Sequence, residues 1–168
     1  AIVFDGSDDY HHRINDPALD IDHPRSIVFN DVERASFLGY KLPNGSAGTR
    51  NYIAVLTSVN CSATVARHIA DTFDSELLAQ YPNIDGIAAF AHSTGCGMAG
   101  AGDGYDNVQR VLWGYARHPN IGGVLMVGLG CEVNQIDFLL EAYGIERGPR
   151  FQTFNIQDAG GTRAEPSP

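Results

Sequence analysis

Short apolar runs recur along the chain, and each is rich in β-branched residues. Three of them cover residues 52–59, 84–91 and 121–128, and each is followed by a turn rich in glycine, serine or asparagine. A fourth run covers residues 151–156. Runs of this length between turn residues are typical of buried strands. Amphipathic patterns after the first three runs predict helices over residues 62–80, 106–117 and 132–143. The alternation predicts an α/β fold: a Rossmann-like open parallel sheet of about four strands with helices on both faces, since parallel crossovers are right-handed.

The two ends of the chain lack this periodicity. Residues 1–36 mix Asp, His and Pro without a sustained period, which predicts a linker or arm, and residues 163–168 are expected to be frayed. Residues 37–162 then form the predicted α/β domain. Within it, residues 37–45 place a Pro-Asn-Gly turn signal between two apolar pieces, which predicts a hairpin leading into the sheet. An open sheet of this size also suggests a neighbouring domain.

Cysteines follow the first three predicted strands. They are Cys61, Cys96 and Cys131, at equal intervals of 35 residues. In an open parallel sheet, ligands bind beyond the carboxyl ends of the strands, so we expect the thiols to lie together at one edge. Three thiols cannot all pair, and their spacing differs from the dense pattern of small secreted domains. We interpret them as reduced thiols or metal ligands.

The turn around Cys96 carries the richest set of chemical groups. An imidazole has a reference pKa of about 6.5, so His92 is a candidate for proton transfer near neutral pH and for metal binding. The alternative is a histidine that hydrogen-bonds the loop backbone, but the adjacent cysteine and the strand-end position favour a functional role. Glycines such as Gly97 allow close backbone approach, and amides at a helix start would hold a carboxylate.

The other two turns add a carboxylate, amides and a hydroxyl: Asn60 and Ser62 beside Cys61, and Glu132, Asn134 and Gln135 beside Cys131. Glu132 is a candidate catalytic or ligand group and, equally, a first-turn charge of the following helix. Asn134 and Gln135 would bind substrate hydroxyls or pack along the helix. Ser62 is interpreted as a helix N-cap.

Composition excludes two classes of partner. The chain has 11 Lys and Arg against 20 Asp and Glu, a formal net charge of −9 at pH 7, and no run of basic residues. Nucleic acid is therefore not an expected partner. No apolar stretch reaches the ~20 residues that cross a bilayer, and the N-terminus lacks the layout of a signal peptide, so we expect no membrane partner and a cytoplasmic location.

Six segments, in this order, together resemble the altronate and galactarate dehydratase family: FLGY (37–40), GTRNY (48–52), TSVNC (57–61), HSTGC (92–96), HPN (118–120) and GLGCEVNQ (128–135). The resemblance covers about residues 37–162 and corresponds to the middle domain of that family. It implies two partners, a small β-rich domain on the N-terminal side and a larger domain on the C-terminal side, in the same enzyme or as separate subunits.

The resemblance also implies an activity. Enzymes of this family are hydro-lyases that remove water from a sugar acid to give a 2-keto-3-deoxy acid, with Fe²⁺ as the usual metal. On this hypothesis the metal is bound by Cys61, Cys96 and Cys131, and His92 and Glu132 are catalytic. The implied substrate-binding residues are Asn60, Ser93, Thr94, Gly97, Asn134 and Gln135. Three cysteines would also suit an iron–sulfur cluster with one open iron.

Two other functions stay open from the sequence. One is a non-catalytic metal-binding or assembly domain, and the other is a sulfo-lyase that eliminates sulfite from a sulfonated hydroxy acid. Galactarate and altronate differ at one end of the molecule, and no residue visibly recognises the second carboxylate, although residues 57–59 and 95–97 are nearer to galactarate-like members. The sequence also leaves homo-oligomerisation open.

Overall fold

The computed structural model describes residues 38–42 and 45–162. The chain divides into two units, Ala1–Ser36 and Phe37–Pro168, and every described residue belongs to the second. The predicted arm over residues 1–36, the central Pro-Asn pair of the hairpin turn and the tail at residues 163–168 lie outside the described residues.

The described strands form a two-stranded antiparallel sheet and a four-stranded parallel sheet. The first pair is β1 (Tyr40–Lys41) and β2 (Ala47–Gly48), which confirms the predicted hairpin. The parallel sheet contains β3 (Tyr52–Thr57), β4 (Gly86–Phe90), β5 (Ile121–Gly128) and β6 (Phe151–Asn155). Its order is β4-β3-β5-β6, so the three strands that precede the cysteines are direct neighbours. This arrangement confirms the predicted parallel α/β fold.

Helices cover both faces of the parallel sheet, as predicted. They are α1 (Ala63–Asp71), α2 (Ser75–Leu78), α3 (Asp103–Ala116) and α4 (Ile136–Tyr143). Since successive strand residues point to opposite faces, the core has two layers. Leu56 and Met126 pack with α3 and α4 on one face, whereas Val55 and Val127 pack with α1 on the other. No helix among the described residues has the length and apolar character required to span a bilayer.

The single helix predicted over residues 62–80 is wrong. α1 ends at Asp71, and α2 begins at Ser75 after a break. Asp74 starts the second helix, because its side chain accepts a hydrogen bond from the backbone N–H of Leu77 at 2.8 Å. The apolar period of the sequence continues across the break, so periodicity alone gives no sign of it.

The helix predicted over residues 132–143 begins four residues later, at Ile136. The skipped residues include Glu132 and Asn134, whose side chains both hydrogen-bond Ser58, directly after β3. The helix ends where the sequence predicts, because Gly144 adopts a left-handed conformation with φ of 59°. The preceding helix, α3, also differs from its prediction and begins at Asp103.

Candidate functional site

The three cysteines lie on turns at the carboxyl edge of the parallel sheet. We call the connections after β3, β4 and β5 the first, second and third turns, and they carry Cys61, Cys96 and Cys131 respectively. All three side chains are exposed and unpaired. The pKa of the Cys96 thiol is raised, chiefly by the charge of Cys61, then by burial and a hydrogen bond with Cys61, and less by Cys131 and Glu132. The Cys96 thiol therefore lies close enough to the other two thiols to interact with them electrostatically, as the strand-end argument predicts.

His92 in the second turn has both ring nitrogens engaged by backbone. Its Nε2 lies 2.9 Å from the carbonyl oxygen of Thr57, which can only accept, so Nε2 carries the hydrogen. Its Nδ1 accepts a longer bond, 3.3 Å, from the N–H of Thr94. These contacts match the alternative role considered for His92, in which its side chain hydrogen-bonds the loop backbone. They also fix one tautomer and leave Nδ1 as the basic nitrogen.

Replacement of His92 by alanine is expected to lower the free energy of unfolding by about 1–2 kcal/mol, because two hydrogen bonds to backbone are lost. Urea unfolding at neutral pH measures the change. The exposed neighbour Ser93, replaced by alanine, is the control and should stay within about 0.5 kcal/mol of the unmodified protein. Equal stability of the two variants would contradict the supporting role of the imidazole.

Glu132 is buried, with 2% of its surface exposed. Its Oε1 accepts hydrogen bonds from the hydroxyl of Ser58 at 2.5 Å and the N–H of Leu129 at 3.1 Å. Its Oε2 accepts from the N–H of Gly130 at 2.6 Å. The carboxylate thus fixes the shape of the third turn and ties this turn to the first.

Asn134 is also buried, with 1% of its surface exposed. Its side-chain Nδ2 donates to the carbonyl of Ser58 at 3.0 Å, and its N–H donates to the carbonyl of Gly95 at 3.4 Å. Its Oδ1 is the one buried side-chain N or O atom of the described residues that has no hydrogen-bond partner. A further bond joins the N–H of Asn60 to the carbonyl of Thr94 at 2.8 Å. All three turns are therefore hydrogen-bonded to one another.

The structure corrects the interpretation of Ser62. This residue precedes α1, but its side chain makes no capping hydrogen bond. The hydroxyl is fully buried and lies 2.8 Å from each of two carbonyl oxygens, those of Val59 and Val127. Val127 lies in β5, so Ser62 connects this strand to the first turn.

The remaining predicted site residues lie at the surface or partly at the surface: Asn60, Ser93, Thr94, Gly97 and Gln135. The side chain of Asn60 accepts a hydrogen bond from the Cys61 thiol at 3.5 Å. Gly97 has a φ of 68° and open space around its Cα. These groups are accessible to a ligand at the edge of the sheet, whereas Glu132 and Asn134 are not.

Two residues of the site were missed by the sequence analysis. Ser58 is buried and bonds both Glu132 and Asn134, and a polar residue that ends an apolar run is the signal that could have identified it. Gln157 donates from Nε2 to the Cys131 sulfur at 3.5 Å. It follows the fourth strand, so the strand-end argument applied to β6 would have found it.

The donor set suits iron in its chemistry. Cysteine thiolate binds soft and borderline metals and is the usual ligand of iron–sulfur clusters. Among the residues that the structure describes, no group of three or more His, Cys, Asp and Glu side chains is arranged to hold a metal ion. The thiols are exposed, so rotation about Cα–Cβ is not blocked by packing. The thiols are therefore suitable metal ligands by their chemistry, but their side chains would have to rotate to coordinate one metal together.

A four-stranded parallel sheet with helices on both faces defines the class of this protein, an α/β domain. In this class, ligands bind beyond the carboxyl ends of the strands. Residues 39–167 match the family described as "D-galactarate dehydratase/Altronate hydrolase, second domain". The chain belongs to this family, which confirms the resemblance found in the sequence motifs.

Individual relatives agree with the family. The chain is 38% identical over 105 residues to altronate dehydratase of Escherichia coli, which covers 62% of this chain and 21% of the relative. It is 37% identical over 110 residues to galactarate dehydratase (L-threo-forming) of the same organism, and the match covers 65% of this chain and 21% of the relative. It is 30% identical over 99 residues to (2R)-sulfolactate sulfo-lyase subunit beta of Chromohalobacter salexigens, and the match covers 59% of this chain and 22% of the relative.

The chain spans about a fifth of the length of these curated relatives. No solved structure gives a significant match to it.

Proposed function

We propose that this chain is a domain of a hydro-lyase that dehydrates a sugar acid of the altronate or galactarate type to a 2-keto-3-deoxy acid. The observation that carries the proposal is the meeting of three thiol-bearing turns at the carboxyl edge of the sheet. Membership of the dehydratase family and the two dehydratase relatives support it. The proposal extends to a cytoplasmic location and to the small β-rich and larger domains as partners, in one enzyme or as subunits.

The reaction needs a base, because the proton beside a carboxylate is weakly acidic, and it needs help for departure of the β-hydroxyl. His92 is the base in this proposal. The carbonyl of Thr57 holds the hydrogen on Nε2, so Nδ1 is the nitrogen with the free electron pair. The hydrogen bond that Nδ1 accepts from the Thr94 N–H is long, 3.3 Å. Release of this bond would make Nδ1 available to the substrate proton.

Glu132 and Asn134 act in this proposal through the turns that they hold. Both are almost fully buried, so neither is placed to touch a substrate at the edge of the sheet. Their hydrogen bonds keep the first, second and third turns in register with one another. Substrate hydroxyl and carboxylate groups would instead meet accessible groups, namely Asn60, Ser93, Thr94, Gln135 and the backbone of Gly97.

Cys61, Cys96 and Cys131 would hold the metal. When bound there, Fe²⁺ or an iron–sulfur cluster with an open iron would supply a positive centre that stabilises the negative charge developed during proton removal. The surrounding residues fix the three turns and so limit how far the thiols separate. Holding the turns together is the contribution that the chain itself makes to such a site.

Iron and acid-labile sulfide, measured per chain on protein purified without air and without chelator, test the metal site. Each of the variants C61S, C96S and C131S is expected to lower iron content about tenfold or more, because a lost thiolate removes a ligand. Sulfide in proportion to iron identifies a cluster, and iron alone identifies Fe²⁺. The Ser93→Ala variant is the control in the same turn. Absence of iron, or iron kept by all three variants, would contradict the site.

Activity is tested on the native full-length polypeptide with altronate, galactarate and sulfolactate. Formation of a 2-keto-3-deoxy acid from either sugar acid supports the hydro-lyase, and release of sulfite supports the sulfo-lyase to which the chain is also related. A metal-loaded protein that transforms none of the three would support the remaining alternative, a non-catalytic metal-binding or assembly domain.

A further inference from the structure

A polar pocket of about 470 Å³ opens beside the third turn. It lies between the start of α4 and the edge strand β6, and its polar walls include Gln135, Asp137, Arg147, Thr153, Asn155 and Asp158. Its volume is within the range of small-molecule sites, about 300–1,000 Å³. Gly130 also lines it and directly precedes Cys131 in the chain, so the pocket adjoins the thiol edge.

The charge of the pocket is set by acidic residues. Among the described residues that line it, Arg147 is the single cation, and it forms an ion pair with Asp137 and donates from Nε to the Thr153 hydroxyl at 2.7 Å. Asp158 has no basic partner among these described residues and accepts a hydrogen bond from Asn155 Nδ2 at 3.0 Å. Glu132 also borders the pocket, but its carboxylate is buried and already accepts hydrogen bonds from Ser58, Leu129 and Gly130. Asp137 and Asp158 therefore outnumber the guanidinium of Arg147, whose charge is already compensated by Asp137.

We infer that this pocket binds the uncharged, hydroxylated end of an acyclic sugar acid with one carboxylate and disfavours an acid with carboxylates at both ends. The inference rests on the proposed function and specifies its substrate. Carboxylates and amides accept and donate hydrogen bonds to hydroxyls, so the lining suits a polyhydroxyl chain. A second carboxylate would lie near Asp137 and Asp158, and like charges at such short range repel. The pocket thus favours altronate, although the sequences of two turns are nearer to galactarate-like members.

The ratio of kcat/KM for altronate to kcat/KM for galactarate, measured on the native full-length polypeptide at low ionic strength, tests the inference. The unmodified protein is expected to prefer altronate. Asp158→Asn should shift the ratio toward galactarate by roughly two- to fivefold, since one exposed like charge is removed. Asp137→Asn, which also frees the Arg147 guanidinium, should shift it in the same direction. Added salt should reduce both shifts because it screens exposed charges.

Glu141→Gln is the matched control, because it removes an exposed carboxylate on α4 outside the pocket. It should leave the ratio unchanged. If both acids are dehydrated but the two Asp variants behave like this control, or if the unmodified protein prefers galactarate, the pocket inference is overturned and the proposed function stands. If neither acid is dehydrated by the unmodified protein, the proposed function fails and the inference with it.

Discussion

Replacement of Gly95 by alanine is expected to lower the free energy of unfolding by about 2–5 kcal/mol, since a positive φ costs a non-glycine residue about 1–2 kcal/mol and overpacking adds about 1–3 kcal/mol. Gly95 has a φ of 99°, and an added Cβ would lie 2.4 Å from the carbonyl oxygen of Ser58 and 2.7 Å from the Cα of Val59. Both neighbours are backbone atoms, so the contact cannot be relieved by a change of rotamer. The second turn would have to move away from the first.

Gly97→Ala provides a control in the same turn. Gly97 also has a positive φ, 68°, but an added Cβ would meet nothing within 4 Å. Only the conformational cost applies there, about 1–2 kcal/mol. Urea unfolding of both variants separates close packing from backbone strain. Equal losses in the two would show that the close approach of Gly95 to the first turn is unimportant.

Replacement of Glu132 by alanine is expected to destabilise the protein by about 3–5 kcal/mol, because it removes the acceptor of several buried donors. The Ser58 hydroxyl and the N–H groups of Leu129 and Gly130 would lose their partner together. Glu132→Gln keeps the shape and one oxygen acceptor, so its loss should be smaller, about 1–3 kcal/mol. Urea unfolding again gives the comparison.

Glu141→Ala is the control for the Glu132 prediction. Glu141 is an exposed glutamate on α4, and its replacement should change stability by no more than about 0.5 kcal/mol. A Glu132→Ala variant as stable as Glu141→Ala would contradict the anchoring role. A variant that folds normally but loses dehydration, with no loss of stability, would instead favour direct catalysis by this carboxylate.

Much of the fold could be predicted because apolar runs and turn residues mark parallel strands directly. The run at residues 121–128 coincides with β5, and the spacing of the cysteines correctly indicates that their turns lie at the same edge of the sheet. The break after Asp71 could not be predicted, since Phe73 and Leu77 continue the helical period of α1. Local capping by Asp74 overrides that pattern.

The roles of polar residues at the strand ends were harder to predict than their location. Asn134 and Gln135 are adjacent and both amides, yet Asn134 is buried and Gln135 is exposed. The sequence does not say which of the two faces inward, because the turn has no fixed period. His92 illustrates the same limit: its backbone partners, Thr57 and Thr94, are known only once the first two turns are side by side.

The cysteines lie on three turns, and each is separated from the next by a complete strand and at least one helix. A short local motif captures its metal while the rest of the chain is still unfolded, but these thiols become neighbours only after β4, β3 and β5 have paired. Closing those loops costs conformational entropy that sheet formation must already have offset. A metal bridging the turns would then bind the native state, and the stabilisation would grow with the logarithm of the metal concentration. Loading with iron would therefore report that the chain has finished folding.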